Sequence, residues 1–254
     1  MCPRIWIFDS YGLFIALGVI AAILLFEYYG HAQKVKRLTR SITEVLAVAA
    51  ALLGFLGAWL FQNLYDYIAS PATFSFSSKM TFFGGLLTGC AFFLPFYFLF
   101  IKRKDEAGFK AIFPIATACI SVCHAFGRIG CFMAGCCYGK ETNSYIGIAF
   151  PGMEQKVIPT NLLEAVFLFL LTAALILLAF KAKGLYPLIG YCLGYGAWRF
   201  AIEFFRDDPR GEFVPGLSPS QFWAIALFAV GLVLLSIELI NRHNRSRATC
   251  PQRK

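Results

Sequence analysis

Residues 161–180 read NLLEAVFLFLLTAALILLAF, twenty positions with one charged residue, Glu164. As a helix this run is about 30 Å long, the thickness of a bilayer's hydrocarbon core, so it reads as a transmembrane span. Working outward, the same signature recurs at Tyr11–Glu27, Thr43–Leu64, Thr81–Ile101, Ala111–Phe126, Tyr186–Phe205 and Phe222–Ile240. Only 15% of the 254 residues are charged, against about 25% in soluble domains. The sequence therefore predicts an all-α integral membrane protein with seven transmembrane helices. No soluble domain, repeat or linker interrupts it, so residues 1–254 read as a single polytopic membrane domain.

The basic residues orient the chain. With the N-terminus outside and the C-terminus cytoplasmic, the inner segments hold Lys34, Lys36, Arg37 and Arg40, then Lys102, Arg103, Lys104 and Lys110. Lys181, Lys183, Arg242, Arg245, Arg247, Arg253 and Lys254 complete the set, 15 of the 23 Lys and Arg residues. That bias obeys the positive-inside rule. The net charge of +9 thus reports topology and anionic lipid, and no nucleic-acid partner is expected. No cleavage site of small residues follows the first apolar core, so that helix is expected to stay attached.

Two polar constellations interrupt the apolar pattern. The first, His124–Lys140, reads HAFGRIGCFMAGCCYGK. Ionisable residues at membrane depth are costly and mark function. His124 and Arg128 are four residues apart and share a helical face if the fourth helix continues that far. Gly127, Gly130, Gly135 and Gly139 suggest an unwound, glycine-rich loop on the outer side, lining a pocket. Irregular backbone at this depth is tolerated only against protein or water.

The second lies at the end of the sixth span. Tyr195, Arg199, Glu203 and Arg206 follow i, i+4, i+8, i+11 spacing, one stripe of a helix. Glu203 is placed to pair with Arg199 or Arg206. With Arg128 these arginines suggest an anion pocket, because the planar guanidinium bonds phosphate oxygens in pairs. At the membrane surface that anion is a phospholipid headgroup. Smaller signals are Tyr11-Gly12, Gly84-Gly85, a helix cap at Thr160 with Glu164 one turn in, and Gln221 after Ser218-Pro219-Ser220.

The nine cysteines divide by position. Cys90, Cys119, Cys123 and Cys192 fall inside spans and read as small apolar residues. Cys131, Cys136 and Cys137 lie past the fourth span. A disulfide joining Cys131 to one of the other two is open to them, and so is a Cys3His metal site with His124. The spacing H-x6-C-x4-C-C departs from the usual two-residue gaps between zinc ligands, so no metal is expected.

Gly127-Arg128-Ile129-Gly130 with Phe132 and Gly139, and the block Tyr195-Gly196-x-x-Arg199-x-x-x-Glu203-Phe204-Phe205-Arg206, resemble the bacterial prolipoprotein diacylglyceryl transferase family. Tyr11-Gly12, Gly84-Gly85-Leu86, Pro159-Thr160-x-Leu162-x-Glu164 and Gln221 fall in the family's order. The resemblance implies transfer of the diacylglyceryl group of phosphatidylglycerol to the lipobox cysteine thiol of a preprolipoprotein signal peptide, at the outer face of the bacterial inner membrane. A thioether forms, glycerol phosphate leaves, and no cofactor is required. His124, Arg128, Arg199 and Glu203 are then the expected catalytic residues. Tyr11, Gly130, Cys131, Cys136, Gly139, Tyr195 and Arg206 are the expected substrate-binding residues, with membrane lipids around them.

The chain departs from the family pattern at three places. Phe83 stands where the family has a histidine, Cys131 where it has an asparagine, and Cys136 where it has an acidic residue. The chain therefore reads as a divergent branch in which His124 takes over the histidine's role. A paralogous transferase with another acceptor, and a non-enzymatic thiol or metal-binding membrane protein, are the competing readings.

Overall fold

The computed structural model describes residues 4–5, 8–69, 71–76, 82–151, 153–181, 184–206 and 217–248. Thr81, where the third predicted span begins, lies outside the described residues, as do Lys79, Lys183, Arg210, Arg253 and Lys254. A two-residue antiparallel pairing of Arg4–Ile5 with Phe8–Asp9 precedes the helices. The helices are α1 (Ser10–Ala32), α2 (Arg37–Ala69), α3 (Phe82–Phe96), α4 (Glu106–Ile112), α5 (Ala116–Ala134), α6 (Thr160–Lys181), α7 (Tyr186–Glu203) and α8 (Pro219–Ala248). This is an all-α membrane protein. Ser10–Ala32, Arg37–Ile68, Glu106–Ala134, Thr160–Lys181 and Ser220–Asn244 are long and apolar enough to cross a bilayer.

The differences from the sequence reading have local causes. Pro95 removes a backbone donor in α3, and six residues of π-helix, Tyr97–Lys102, continue the run. α4 and α5 are joined by a 3-10 turn at Phe113–Ile115, which contains Pro114. The fourth predicted span ends too early at Phe126, because α5 continues to Ala134. Gly127 and Gly130 are therefore helical and do not loosen the chain. The helix stops only at Gly135, whose φ of 73° closes a left-handed cap: the Gly135 N–H donates to Phe132 O and the Cys136 N–H to Cys131 O. α7 is absent from the membrane-length apolar set because Tyr191, Tyr195, Arg199 and Glu203 interrupt its apolar run.

The chain forms two compact units, residues 1–26 with 114–254, and residues 27–113. In the first, α5 packs on α6, α6 on α7 and α7 on α8. Small residues bring the backbones close, as expected where lipid offers apolar groups no advantage over protein. A Cβ on Gly196 would sit 3.1 Å from Ala224 O of α8, and one on Gly18 would sit 3.1 Å from Cys123 O of α5. The Ser121 hydroxyl donates to Leu168 O across the α5–α6 contact at 3.1 Å, and Phe167 stacks on Trp198 at 4.4 Å between α6 and α7.

In the second unit α2 and α3 meet through Gly54, Gly57, Gly84, Gly85 and Gly89. The double glycine of the third span therefore serves helix packing: a Cβ on Gly85 would lie 3.0 Å from Gly54 O. Asp105 caps α4, accepting from Gly108 N at 3.1 Å and from the Thr39 hydroxyl at 2.7 Å. Both hydrogen bonds favour the ionised form and hold the Asp105 carboxyl below its ordinary range.

Candidate active site

Glu164, the lone charge of the opening stretch, is the centre of the site. Its side chain is fully buried. Oε2 lies 3.1 Å from Arg128 Nε of α5 and 3.6 Å from Arg199 Nη1 of α7. Oε1 accepts from the Tyr195 hydroxyl at 2.9 Å and lies 4.0 Å from His124 Nε2. One carboxylate thus ties three helices together. A buried carboxylate is stable as an anion only when paired in this way.

His124 and Arg128 share a face, as their spacing predicts: Arg128 Nε donates to His124 Nε2 at 3.3 Å. The contact fixes the acceptor state of Nε2, so the imidazole is neutral and its proton sits on Nδ1. The ring packs edge-on against Tyr195, with centroids 5.1 Å apart. His124 keeps 23% of its side-chain surface exposed and Arg128 16%, against 9% for Arg199. His124 and Arg128 are thus the more accessible members of the cluster.

The stripe on α7 forms the second half. Glu203 Oε2 lies 3.0 Å from Arg199 Nη2 and 3.9 Å from Arg206 Nε, so it pairs with both candidates. Ser218 donates to Glu203 Oε1 at 2.9 Å, and Arg199 Nη2 donates to Ser220 Oγ at 2.8 Å. Ser218 is also the first member of a capping box at the start of α8. Its Oγ accepts from Gln221 N at 3.2 Å and its own N–H donates to Gln221 Oε1 at 3.1 Å. The cap and the ion pair are thus one structure. Three guanidinium groups face two carboxylates here, which leaves the cluster positive, and Arg199 Nη1 makes no hydrogen bond among the described residues.

The segment after Gly135 folds over the ends of α6 and α7. The Thr160 hydroxyl, expected as a helix cap, instead donates to Cys137 O at 3.0 Å, and Asn161 Nδ2 donates to Cys136 O at 2.8 Å. Gly139 N donates to Ile158 O, and Lys140 N to Phe205 O, each at 2.8 Å. Gly139 is wedged in place: an added Cβ would collide with Phe205 O and approach Thr160 Cγ2 to 2.7 Å. Gly130 lets Tyr11 of α1 come close, since a Cβ there would stand 3.1 Å from its ring.

The sulfurs of Cys131, Cys136 and Cys137 lie within 4.8 Å of one another, and all three are free thiols. His124 does not join them. Cys131 and Cys136 donate to Cys137 sulfur, and with Arg206 nearby they hold the Cys137 thiol well below its usual range.

The site therefore gathers His124, Arg128, Tyr195, Arg199, Glu203 and Arg206 around a carboxylate that sequence reading ranked as a minor signal. The clue was available: Glu164 is the only charge in its span. Ser218 and Ser220 carried no such mark, because serines before a helix are expected as caps.

A membrane protein with a partly exposed cluster of arginines, paired carboxylates and a histidine has the equipment of a transferase acting on an anionic lipid. The profile of the prolipoprotein diacylglyceryl transferase family matches residues 5–237. The chain is 29% identical over 239 residues to the phosphatidylglycerol–prolipoprotein diacylglyceryl transferase of Clostridium tetani, covering 90% of this chain and 92% of that one. It is 30% identical over 236 residues to a second enzyme of that name from Clostridium perfringens, covering 90% of each. A relative of the same name from Geobacter sulfurreducens is 30% identical over 246 residues, covering 89% of each. The chain belongs to the prolipoprotein diacylglyceryl transferase family.

Proposed function

We propose that the Glu164-centred cluster is the active site at which this chain transfers diacylglyceryl from phosphatidylglycerol to a prolipoprotein. The observation that carries this reading is the excess of guanidinium over carboxylate around Glu164, with an Arg199 donor unused. Arg128 and Arg199 take the phosphodiester. Glu164 and Glu203 fix the two guanidinium planes so that little ordering is left to do on binding.

The acceptor is the lipobox cysteine of the incoming signal peptide. Its thiol gives a proton to Nε2 of His124 as Arg128 leaves that lone pair for the phosphate. The thiolate attacks the glyceryl carbon next to the phosphate, a C–S bond forms, the C–O bond breaks, and its electrons go to the departing glycerol phosphate. Arg128 and Arg199 stabilise the second negative charge that grows on that phosphate, the role in which preorganised donors contribute most. The proton held by His124 then passes to the leaving group or to water. Tyr11, Gly130, Cys131, Cys136, Gly139, Tyr195 and Arg206 shape the space for headgroup and peptide.

The distribution of Lys and Arg supports seven spans in one polytopic domain, N-terminus outside and C-terminus cytoplasmic, in the inner membrane with the site facing outward. The test is complementation. The chain, expressed in cells depleted of their own transferase, restores lipidated prolipoprotein. Properly inserted protein that leaves prolipoprotein unmodified excludes the reaction.

A further inference from the structure

The cluster of Cys131, Cys136 and Cys137 lines the proposed substrate space but takes no proton or group in the transfer step, and its geometry is built. Two of its three residues have their carbonyls held by side chains with no exposed surface: Asn161 on Cys136 O and Thr160 on Cys137 O. Cys131 lies on the last turn of α5, and its carbonyl receives the Cys136 N–H across the Gly135 cap. Cys137 adopts φ of 62°, a left-handed conformation that a side chain with a Cβ rarely takes. Strain of this kind persists where surrounding contacts enforce it, and it gathers at functional sites. Its consequence is to fold the loop back so that three sulfurs meet within 4.8 Å.

We propose that Cys131, Cys136 and Cys137 form a three-thiolate binding site for a soft monovalent metal ion, Cu(I). A metal about 2.3 Å from each of three sulfurs in a plane holds those sulfurs about 4 Å apart, so the cluster needs only a small contraction. Thiolates select soft ions. Zinc asks for a fourth ligand, and no histidine or carboxylate joins the three sulfurs among the described residues. His124 is engaged with Arg128 and Glu164. Cys136 is exposed and gives the ion a way in, while Cys131 and Cys137 are partly buried. Loading converts three thiols and one Cu(I) into a Cu(I) tris-thiolate of charge −2 and releases up to three protons. No electron is transferred.

The test uses the full chain in detergent, fully reduced and without oxygen, titrated with Cu(I) against a chromogenic Cu(I) chelator. One equivalent is captured per chain, and loading protects three thiols from alkylation, mapped by mass spectrometry to these positions. Cys131→Ser and Cys136→Ser each weaken capture at least tenfold, while Cys119→Ser and Cys123→Ser leave it unchanged. Capture that persists in the triple serine variant overturns the proposal. So does protection mapped to other cysteines of the wild-type chain, a readout independent of whether the variants fold. Preference for zinc over Cu(I), or a disulfide among the three in place of bound metal, also overturns it.

Discussion

Glu164 Oε2 sits 3.1 Å from Arg128 Nε although the two residues are 36 positions apart, and the carboxylate has no exposed surface. Removing it would leave Arg128 as a buried cation without a carboxylate and Arg199 with Glu203 alone, and breaking a buried pair typically costs about 3–5 kcal/mol. Glu164→Ala is therefore expected to lower the thermal midpoint of the detergent-solubilised protein as well as abolish transfer. Glu164→Gln keeps a hydrogen-bond acceptor for Tyr195 but loses the charge. It should retain more stability than Glu164→Ala and still lose at least tenfold in kcat/KM. Equal stability of Glu164→Ala and the native chain would show that the ion pairs are dispensable.

His124→Ala separates base from scaffold. If Nε2 accepts the thiol proton, transfer falls by the 100-fold or more typical of lost general base catalysis, with the KM for phosphatidylglycerol little changed. His124→Gln offers an acceptor to Arg128 but no base, and should fail to rescue the rate. Native turnover in either variant removes histidine from the mechanism.

Arg128→Lys preserves charge and loses the planar fork. Arg128 sits against His124 and Glu164 at once, and an ammonium group does not reproduce that geometry. The expected result is a rise of tenfold or more in the KM for phosphatidylglycerol with the helices intact by circular dichroism. An unchanged KM would place phosphate binding elsewhere.

Two glycines of the His124–Lys140 segment are expected to behave oppositely. A Cβ on Gly139 would strike the backbone at Phe205 O, whereas one on Gly127 meets nothing within 4 Å. Gly127→Ala should stabilise α5 by up to about 1 kcal/mol, the difference in helix propensity. Gly139→Ala should disturb the loop and lower both stability and transfer, measured by thermal unfolding and by the lipidation assay.

The helices were legible because a single requirement, twenty apolar residues, governs them. The Arg199–Glu203 pair was legible because both residues lie on one helix at i, i+4 spacing, whereas Arg206, expected on the same stripe, lies past the end of α7 and bridges to Gly139. The Arg128–Glu164–Arg199 contact was not legible, since it joins three helices whose relative rotation is set by packing glycines and not by any local pattern. The end of α5 was misjudged for a related reason. Gly127 and Gly130 look like breakers in sequence, but both lie inside a helix, where Gly130 admits Tyr11 and Gly127 faces open space. In sequence the three thiols read as a disulfide or a Cys3His site with His124; that they meet without His124 depends on the left-handed turns at Gly135 and Cys137.

The Asp105 cap gives a pH dependence outside the spans. Its carboxyl is held below the ordinary range by the Thr39 hydroxyl and the Gly108 N–H, so the folded chain binds its proton less readily than the unfolded chain. The stabilisation is thus complete above the ordinary carboxyl pKa of about 3.9 and is lost as pH falls through the lower folded value. At neutral pH Asp105→Ala should cost about 1 kcal/mol, the usual value of a lost helix cap. The gap between the variant and the native chain should narrow steadily on acidification below about pH 4. Thr39→Val removes one of the two hydrogen bonds, raises the folded value toward the unfolded one, and should leave a smaller pH-dependent part of the gap that is complete at a higher pH. A gap that stays constant from pH 7 down to pH 3 would mean that the ionised carboxylate does not cap α4.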